Sequence, residues 1–483
     1  MYQYKGLEDT IAAISTPVGQ GGIGIVRLSG KDALVLVDKM FAAKSKRKLI
    51  DAKSHTVHYG WIMTVTSDQG PVTNNKKLVT GQRSLATVVD EVLVTVMRGP
   101  KSFTAEDVVE ISCHGGSAAV KAVLECALQS GARLAEPGEF TKRAFLNGRI
   151  DLTQAEAVLD IIQARTQTFL RVSTQQLKGE LSAELESIRE NLMPIYMELE
   201  ALVNFPEDEI DEQAKGQIAA RIENESRHVK KLLDSSSHGR LLKEGIRVVL
   251  CGKPNVGKSS LLNVLLKTPR AIVTDIAGTT RDVLEESAQI QGIPFQLVDT
   301  AGILEPRDLI EEEAIKRSHL YIQSADLVLL VLDGGSALED EDMFLMEKIK
   351  HRNTIVVVNK SDRPPRIDIK TIQNKLPGKQ IVKVSALKKS AVDELENIIV
   401  QQATRGQEMD AHGILVSNLR HIQALNEAHQ NLMKAAVNIG EGLSLEFISE
   451  ELKIAVNALD SITGRNIDAD LLDKIFSAFC IGK

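Results

Sequence analysis

A chain of 483 residues exceeds what one hydrophobic core normally serves, so several domains are expected. Its composition, 43% hydrophobic and 25% charged, is that of an ordinary soluble protein, and a net charge of −7 excludes tight nonspecific nucleic-acid binding by overall charge, which needs clustered Lys and Arg. Four cysteines far apart and without C-x-x-C pairing exclude a zinc or disulfide framework, and the acidic N-terminus and the absence of a long apolar run predict a cytoplasmic protein with no membrane partner.

Residues 1–150 mix short strands with helices and predict an α+β domain. Ile23–Leu28 follows the turn-forming Gly19–Gly22, Val88–Met97 is rich in β-branched residues, and Val108–Cys113 precedes His114-Gly115-Gly116 and an alanine-rich helix. The polar segment Thr64–Arg83 reads as a surface loop or hairpin. Spacing alone reveals no catalytic constellation here: His114 reads as structural, and Arg27, Glu110 and Arg149 read as satisfied charges beside apolar segments.

From Asp151 the period changes. Leu177, Leu181, Leu185, Ile188, Leu192, Ile195, Leu199 and Leu202 recur at steps of three and four, placing them on one face of a long helix that Pro194 should kink or break. The stripe lacks sustained charge pairing at its flanks, so an intramolecular bundle is preferred to an oligomer seam. Phe205–Asp211 reads as an acidic loop.

Between 244 and 404 apolar strands alternate with amphipathic helices: Ile246–Cys251, Phe295–Val298, Leu327–Leu332, Thr354–Val358 and Ile381–Val384. That order predicts a doubly wound, mostly parallel sheet with its ligand at the carboxyl ends of the strands. From 405 to 483 the pattern returns to helix, with Leu445, Ile448, Leu452, Ala455 and Leu459 on one face. Helices on both sides of the α/β unit predict one helical domain, 151–243 and 405–483, into which the 244–404 domain is inserted.

The chemistry concentrates in that insertion. Gly252–Ser259, GKPNVGKS, stands between a strand and a helix and fits G-x-x-x-x-G-K-[ST], a loop whose N–H groups cradle phosphates. Asn255, Val256, Gly257, Lys258, Ser259 and Ser260 line it: Lys258 reaches the β- and γ-phosphates and Ser259 offers a hydroxyl to Mg²⁺. Thr280, in Gly278–Asp282, is placed to complete the Mg²⁺ shell, and Asp299-Thr300-Ala301-Gly302 supplies an Asp toward the metal and a Gly N–H toward the γ-phosphate. Asn359-Lys360-Ser361-Asp362 ends another strand, where the Asp carboxylate can accept the N1–H and 2-amino donors of guanine. Adenine lacks that pair, so GTP is the expected nucleotide; Ser385-Ala386 would brace the same base. Ile303 stands where a water-orienting Gln follows D-x-x-G in Ras-like switches, so another group must aid catalysis. Asn255 could help hold a monovalent cation beside the phosphates, and Glu311-Glu312-Glu313 could orient water or simply open an exposed helix.

These residues, with GGIGIVRLSG at 21–30, FTAEDVVEISCHGG at 103–116, the run 137–157, TDIAGTTRD at 274–282 and the terminal CIGK, resemble the tRNA modification GTPases of the MnmE (TrmE) family, in the TrmE-Era-EngA-like superfamily, over essentially the whole chain. The resemblance implies an N-terminal α+β folate-binding and dimerisation domain, a discontinuous helical domain and an inserted Ras-like G domain. It further implies a homodimeric GTPase that works with the FAD-dependent MnmG (GidA), in a heterotetramer or larger complex, on the wobble uridine of tRNA. The one-carbon donor would be 5-formyl- or methylene-tetrahydrofolate. Carried over by position, Arg27, Glu110 and Arg149 would contact the folate with Lys483 close by; the family often has Lys in place of Arg149, which keeps the charge. Asn255, Thr274, Ile276 and Thr279 would hold K⁺, Ser259 and Thr280 Mg²⁺, Glu311 would orient water, and Cys480 matches a cysteine needed for modification, although a small packed residue at a helix end is the alternative. Ala314 stands where the family usually has Gly, which would stiffen that segment. A GTP-dependent ribosome-assembly or RNA-binding switch is the competing function; it would carry an RNA-binding module after the G domain, where this chain reads as helix.

Overall fold

The computed structural model describes residues 8–17, 19–64, 87–204, 212–266, 285–299, 320–404 and 413–483. They form two compact units, 1–159 with 460–483, and 160–459.

The first unit is built on a sheet of β1 (Ile11–Ile14), β2 (Ile23–Ser29), β3 (Phe41–Ala43), β4 (Thr56–Met63), β5 (Val88–Met97), β6 (Val108–His114) and β7 (Arg133–Leu134), in the order β3-β4-β5-β6-β2-β1-β7. Neighbours are antiparallel except β1 and β7. Helices Ala33–Met40 and Ser117–Gln129 bury Val37, Met40, Val123 and Cys126 against Val26, Leu28, Val94, Val109 and Ile111 of the sheet. Because side chains alternate along a strand, Val26 and Leu28 of β2 join this core while Arg27 takes the opposite face. Glu110 does the same on β6 between Val109 and Ile111, and the register sets Arg27 directly across from Glu110.

The chain end folds back onto this unit. Helix Ala469–Ser477 packs Leu472 and Phe476 with Ala144, Leu152 and Phe479, and Ile481 bridges to Pro137. The Gly482 carbonyl accepts from the Ser15 hydroxyl at 3.1 Å. Gly482 has φ +92°, and a Cβ there would lie 2.2 Å from the Ile14 carbonyl oxygen, so only glycine lets the terminus run this close to β1.

In the second unit a six-stranded sheet runs β13-β12-β11-β8-β10-β9, with β8 (Ile246–Cys251), β9 (Glu285–Ile290), β10 (Ile293–Asp299), β11 (Leu327–Asp333), β12 (Thr354–Asn359) and β13 (Gln380–Lys383). All neighbours are parallel except β9 and β10. Leu261, Leu265, Leu395 and Ile399 cover one face, and Met346, Ile349 and Ile372 the other, giving the doubly wound arrangement that the alternation predicts. β9 is the strand that hydrophobicity does not announce, since EESAQI is largely polar. Its signal is the two-residue link Gln291-Gly292, whose φ values of 50° and 84° are both positive, as a type I′ hairpin turn requires.

The remainder of this unit is helical. The apolar stripe is divided: Leu177 closes the helix Gln167–Leu177, and Gly179, at φ 89°, separates it from Glu180–Asn204. Leu181, Leu185, Ile188, Leu192, Ile195 and Leu199 are all buried within the single chain, as an intramolecular bundle requires. The helix runs unbroken through Pro194, contrary to the break that sequence allows, because burying Leu192 and Ile195 on either side outweighs one lost backbone hydrogen bond. The expected loop at 65–83 and acidic loop at 205–211 lie outside the described residues. Among the described residues no helix is long and apolar enough to cross a membrane.

Candidate functional site

The loop Gly252–Ser259 leaves the carboxyl end of β8, and Lys258 and Ser259 open the helix Lys258–Leu266. Side chains hold its carbonyl groups in place. Lys258, 4% exposed, donates from Nζ to the Gly252 and Lys253 carbonyls, each at 2.7 Å. Asn359, at the end of β12, donates from Nδ2 to the Val256 carbonyl at 2.9 Å, and Lys360 donates to the Asn255 carbonyl at 2.6 Å. Gly257 is required here: a Cβ would sit 2.3 Å from Asn359 Nδ2, and its φ is +97°. Asn255 adopts φ 62°, which asparagine tolerates better than most residues.

The predicted base-recognition residues converge on the same strand ends. Asn359 Oδ1 accepts from the Ala386 N–H at 3.0 Å, tying the segment after β13 to the loop after β12. The Ser385 hydroxyl donates to Asp362 Oδ1 at 2.5 Å and holds that carboxyl below the usual Asp range. Asp362 is therefore an acceptor-only anion at neutral pH, which fits a base edge offering two N–H donors. Asp333, at the end of β11, takes Lys360 Nζ at 2.7 Å. Burial raises the Asp333 pKa, but the bonds from Lys360 and the Gly335 N–H outweigh it and leave the carboxyl lowered. Thr274, Ile276, Thr279, Thr280, Thr300, Ala301, Gly302 and Glu311 lie outside the described residues; Asp299 ends β10, beside Leu250 of β8.

The N-terminal candidates form a second cluster. Arg27 Nε donates to Glu110 Oε1 at 2.8 Å, with a further guanidinium nitrogen at 2.7 Å. A third contact reaches the Gly482 carbonyl at 3.4 Å, bringing the chain terminus to this pair. The Arg27 guanidinium lies 5.9 Å from the Phe103 ring and 5.6 Å from Phe140, and Arg149 lies 5.0 Å from Phe103. Phe140 is fully buried and backs Arg27 from the core, whereas two guanidinium groups, a carboxylate and the partly exposed Phe103 ring suit a flat heteroaromatic ligand that carries N–H donors and an anionic tail. Cys480 is exposed whereas Cys113, Cys126 and Cys251 are buried, so packing does not account for Cys480. Burial pushes the Cys113 thiol up to about 11 and that of Cys251 to about 12, as inert core residues. His114 pairs with Asp90 at 2.6 Å at the sheet surface.

Residues 10–149 match the model of the GTP-binding protein TrmE N-terminus, and residues 152–480 match that of the MnmE helical domain. The tRNA modification GTPase MnmE of Alkaliphilus oremlandii is 41% identical, over 99% of this chain and 100% of its own length. The chain belongs to the MnmE family. The MnmE of Geobacillus kaustophilus is 43% identical over 98% of this chain and 99% of its own. Likeness to MnmE proteins over the full length decides between this family and the ribosome-assembly alternative. Among solved structures, Era of Aquifex aeolicus is 30% identical over 39% of this chain and 67% of its own, with a TM-score of 0.26. As a member of the MnmE family the chain is a GTPase of tRNA modification, and its G domain is the doubly wound unit above.

Asp333, Phe103 and Phe140 adjoin these clusters without having been expected there. Asp333 had a signal, an acidic residue closing the all-apolar strand β11. Phe103 and Phe140 had none, because their relation to Arg27 depends on how the connections after β5 and β7 pack.

Proposed function

We propose that the chain hydrolyses GTP with stimulation by K⁺ and, as a cytoplasmic homodimer working with FAD-dependent MnmG, modifies C5 of the wobble uridine in tRNA. The product is a (carboxymethyl)aminomethyluridine. The observation that carries this reading is the joining of the phosphate loop to the base-recognition loops at adjacent strand ends through Asn359, Lys360 and Ala386. Lys258 and the loop N–H groups bind the triphosphate, Asp362 selects guanine, and Ser259 and Thr280 hold Mg²⁺. Asn255, Thr274, Ile276 and Thr279 hold K⁺, which supplies positive charge where negative charge grows in the transition state. Glu311 orients the attacking water in place of the Gln absent at Ile303.

The functional division follows 1–150, 151–243 with 405–483, and 244–404. Arg27, Glu110 and Arg149 of the first part, with Lys483 from the chain end, bind a 5-formyl- or methylene-tetrahydrofolate that supplies the one-carbon unit, and Cys480 is exposed at that same chain end. Comparing GTP turnover in K⁺ and Na⁺ tests the cation reading. K⁺ should raise the rate at least tenfold, about 1.4 kcal/mol in barrier, and Asn255→Ala should abolish the difference. Equal rates in the two salts overturn it.

A further inference from the structure

The second residue of the phosphate loop is a lysine with a defined place. Lys253 Nζ lies 2.8 Å from Asp342 Oδ2 and 2.9 Å from Glu339 Oε2, and its side chain is largely buried. Both acids belong to the start of the helix Asp340–Ile349, which follows β11. Asp342 is buried, and its Oδ2 also accepts the Glu339 N–H at 3.0 Å, closing the capping box of that helix. Its Oδ1 is buried and has no hydrogen-bond partner among the described residues, so Lys253 is the one cation paired with it there. At the other end of the same residue, the Lys253 carbonyl is one of the two that receive Lys258 Nζ, at 2.7 Å.

We propose that Lys253 is a positioning residue for nucleotide binding: Asp342 and Glu339 fix its side chain, and its backbone carbonyl thereby fixes the ammonium of Lys258 beneath the phosphates. The geometry supports this over a simple surface ion pair in two ways. Asp342 is held by its own helix cap, so the anchor is rigid. The anchored residue is separated from Lys258 by one hydrogen bond, so a shift of its backbone moves the phosphate-binding cation directly. Two residues further along the loop, the Asn255 carbonyl is secured likewise, by Lys360, which also pairs with Asp333. The first half of the loop is thus held at two points by Lys-carboxylate pairs rooted in different elements, and the charge of Lys253 is directed to Asp342 and Glu339 instead of to the ligand.

The test is a set of variants in the full chain, read by GTP and GDP affinity and by turnover at saturating GTP. Lys253→Ala and Asp342→Asn should each weaken binding of both nucleotides roughly tenfold. Lys253→Arg should restore most of the loss, and the double variant Lys253→Ala/Asp342→Asn should be no weaker than either single one, because both remove one interaction. The exchange Lys253→Asp/Asp342→Lys should bind better than Lys253→Asp alone. Should any variant fold poorly, the folded fraction is counted by active-site titration, so affinity is still read per folded molecule. Nucleotide affinities within twofold of the parent for Lys253→Ala, or losses that add in the double variant, overturn the proposal. A merely structural pair would lower the melting temperature and leave the affinities unmoved.

Discussion

Asp362 is the carboxylate to which the proposed function gives the reading of the purine. Its charge is secured by the Ser385 hydroxyl, and an anion there accepts two N–H donors. Changing Asp362 to Asn exchanges one acceptor for an amide donor, which fits xanthine, where a carbonyl replaces the 2-amino group. Competition binding should show GTP affinity falling by about a hundredfold or more, with xanthosine triphosphate rising to replace it, on the scale of a site left with unpaired polar groups. Unchanged preference for GTP would remove Asp362 from base recognition. Asp362, Asn359 and Lys258 were expected from sequence because phosphate and guanine recognition need those residue types at strand ends, and the structure gathers them there. Arg27 and Glu110 were not legible by spacing, since isolated charges on a strand look alike until register sets them face to face. Arg143 shows the same limit: 1% exposed, it binds Asp9, Glu106 and Glu139, a buried network that no periodicity reveals.

Among elements, legibility followed hydrophobic pattern. The parallel strands β8, β11 and β12, buried on both faces, appear as largely apolar runs, whereas β9 is largely polar and is signalled only by its turn. The helix Glu180–Asn204 illustrates packing overriding local propensity. Pro194 is exposed while Leu192 and Ile195 are buried, so tertiary contacts hold a helix that the proline weakens. Replacing Pro194 by Ala should therefore stabilise the second unit by about 1–3 kcal/mol, measured by denaturant unfolding. A loss of stability would mean that the proline ring packs productively where it stands.

For the whole molecule, one chain carries a guanine-nucleotide site on one compact unit and the Arg27–Glu110 cluster, closed by its own terminus, on the other. Of the five short motifs that sequence pattern offered for the first, the structure joins three, at Gly252–Ser259, 359–362 and 385–386, while the other two lie mostly outside the described residues; the second came into view only through family resemblance and then through the fold. In the proposed function, GTP turnover at the phosphate loop serves wobble-uridine modification. The most direct measurement is mass spectrometry of wobble uridines in tRNA from cells lacking this chain, complemented either by the parent or by Lys258→Ala. The C5 substituent should return with the parent and stay absent with Lys258→Ala expressed at the same level. Full modification with Lys258→Ala, or none with the parent, would contradict the account.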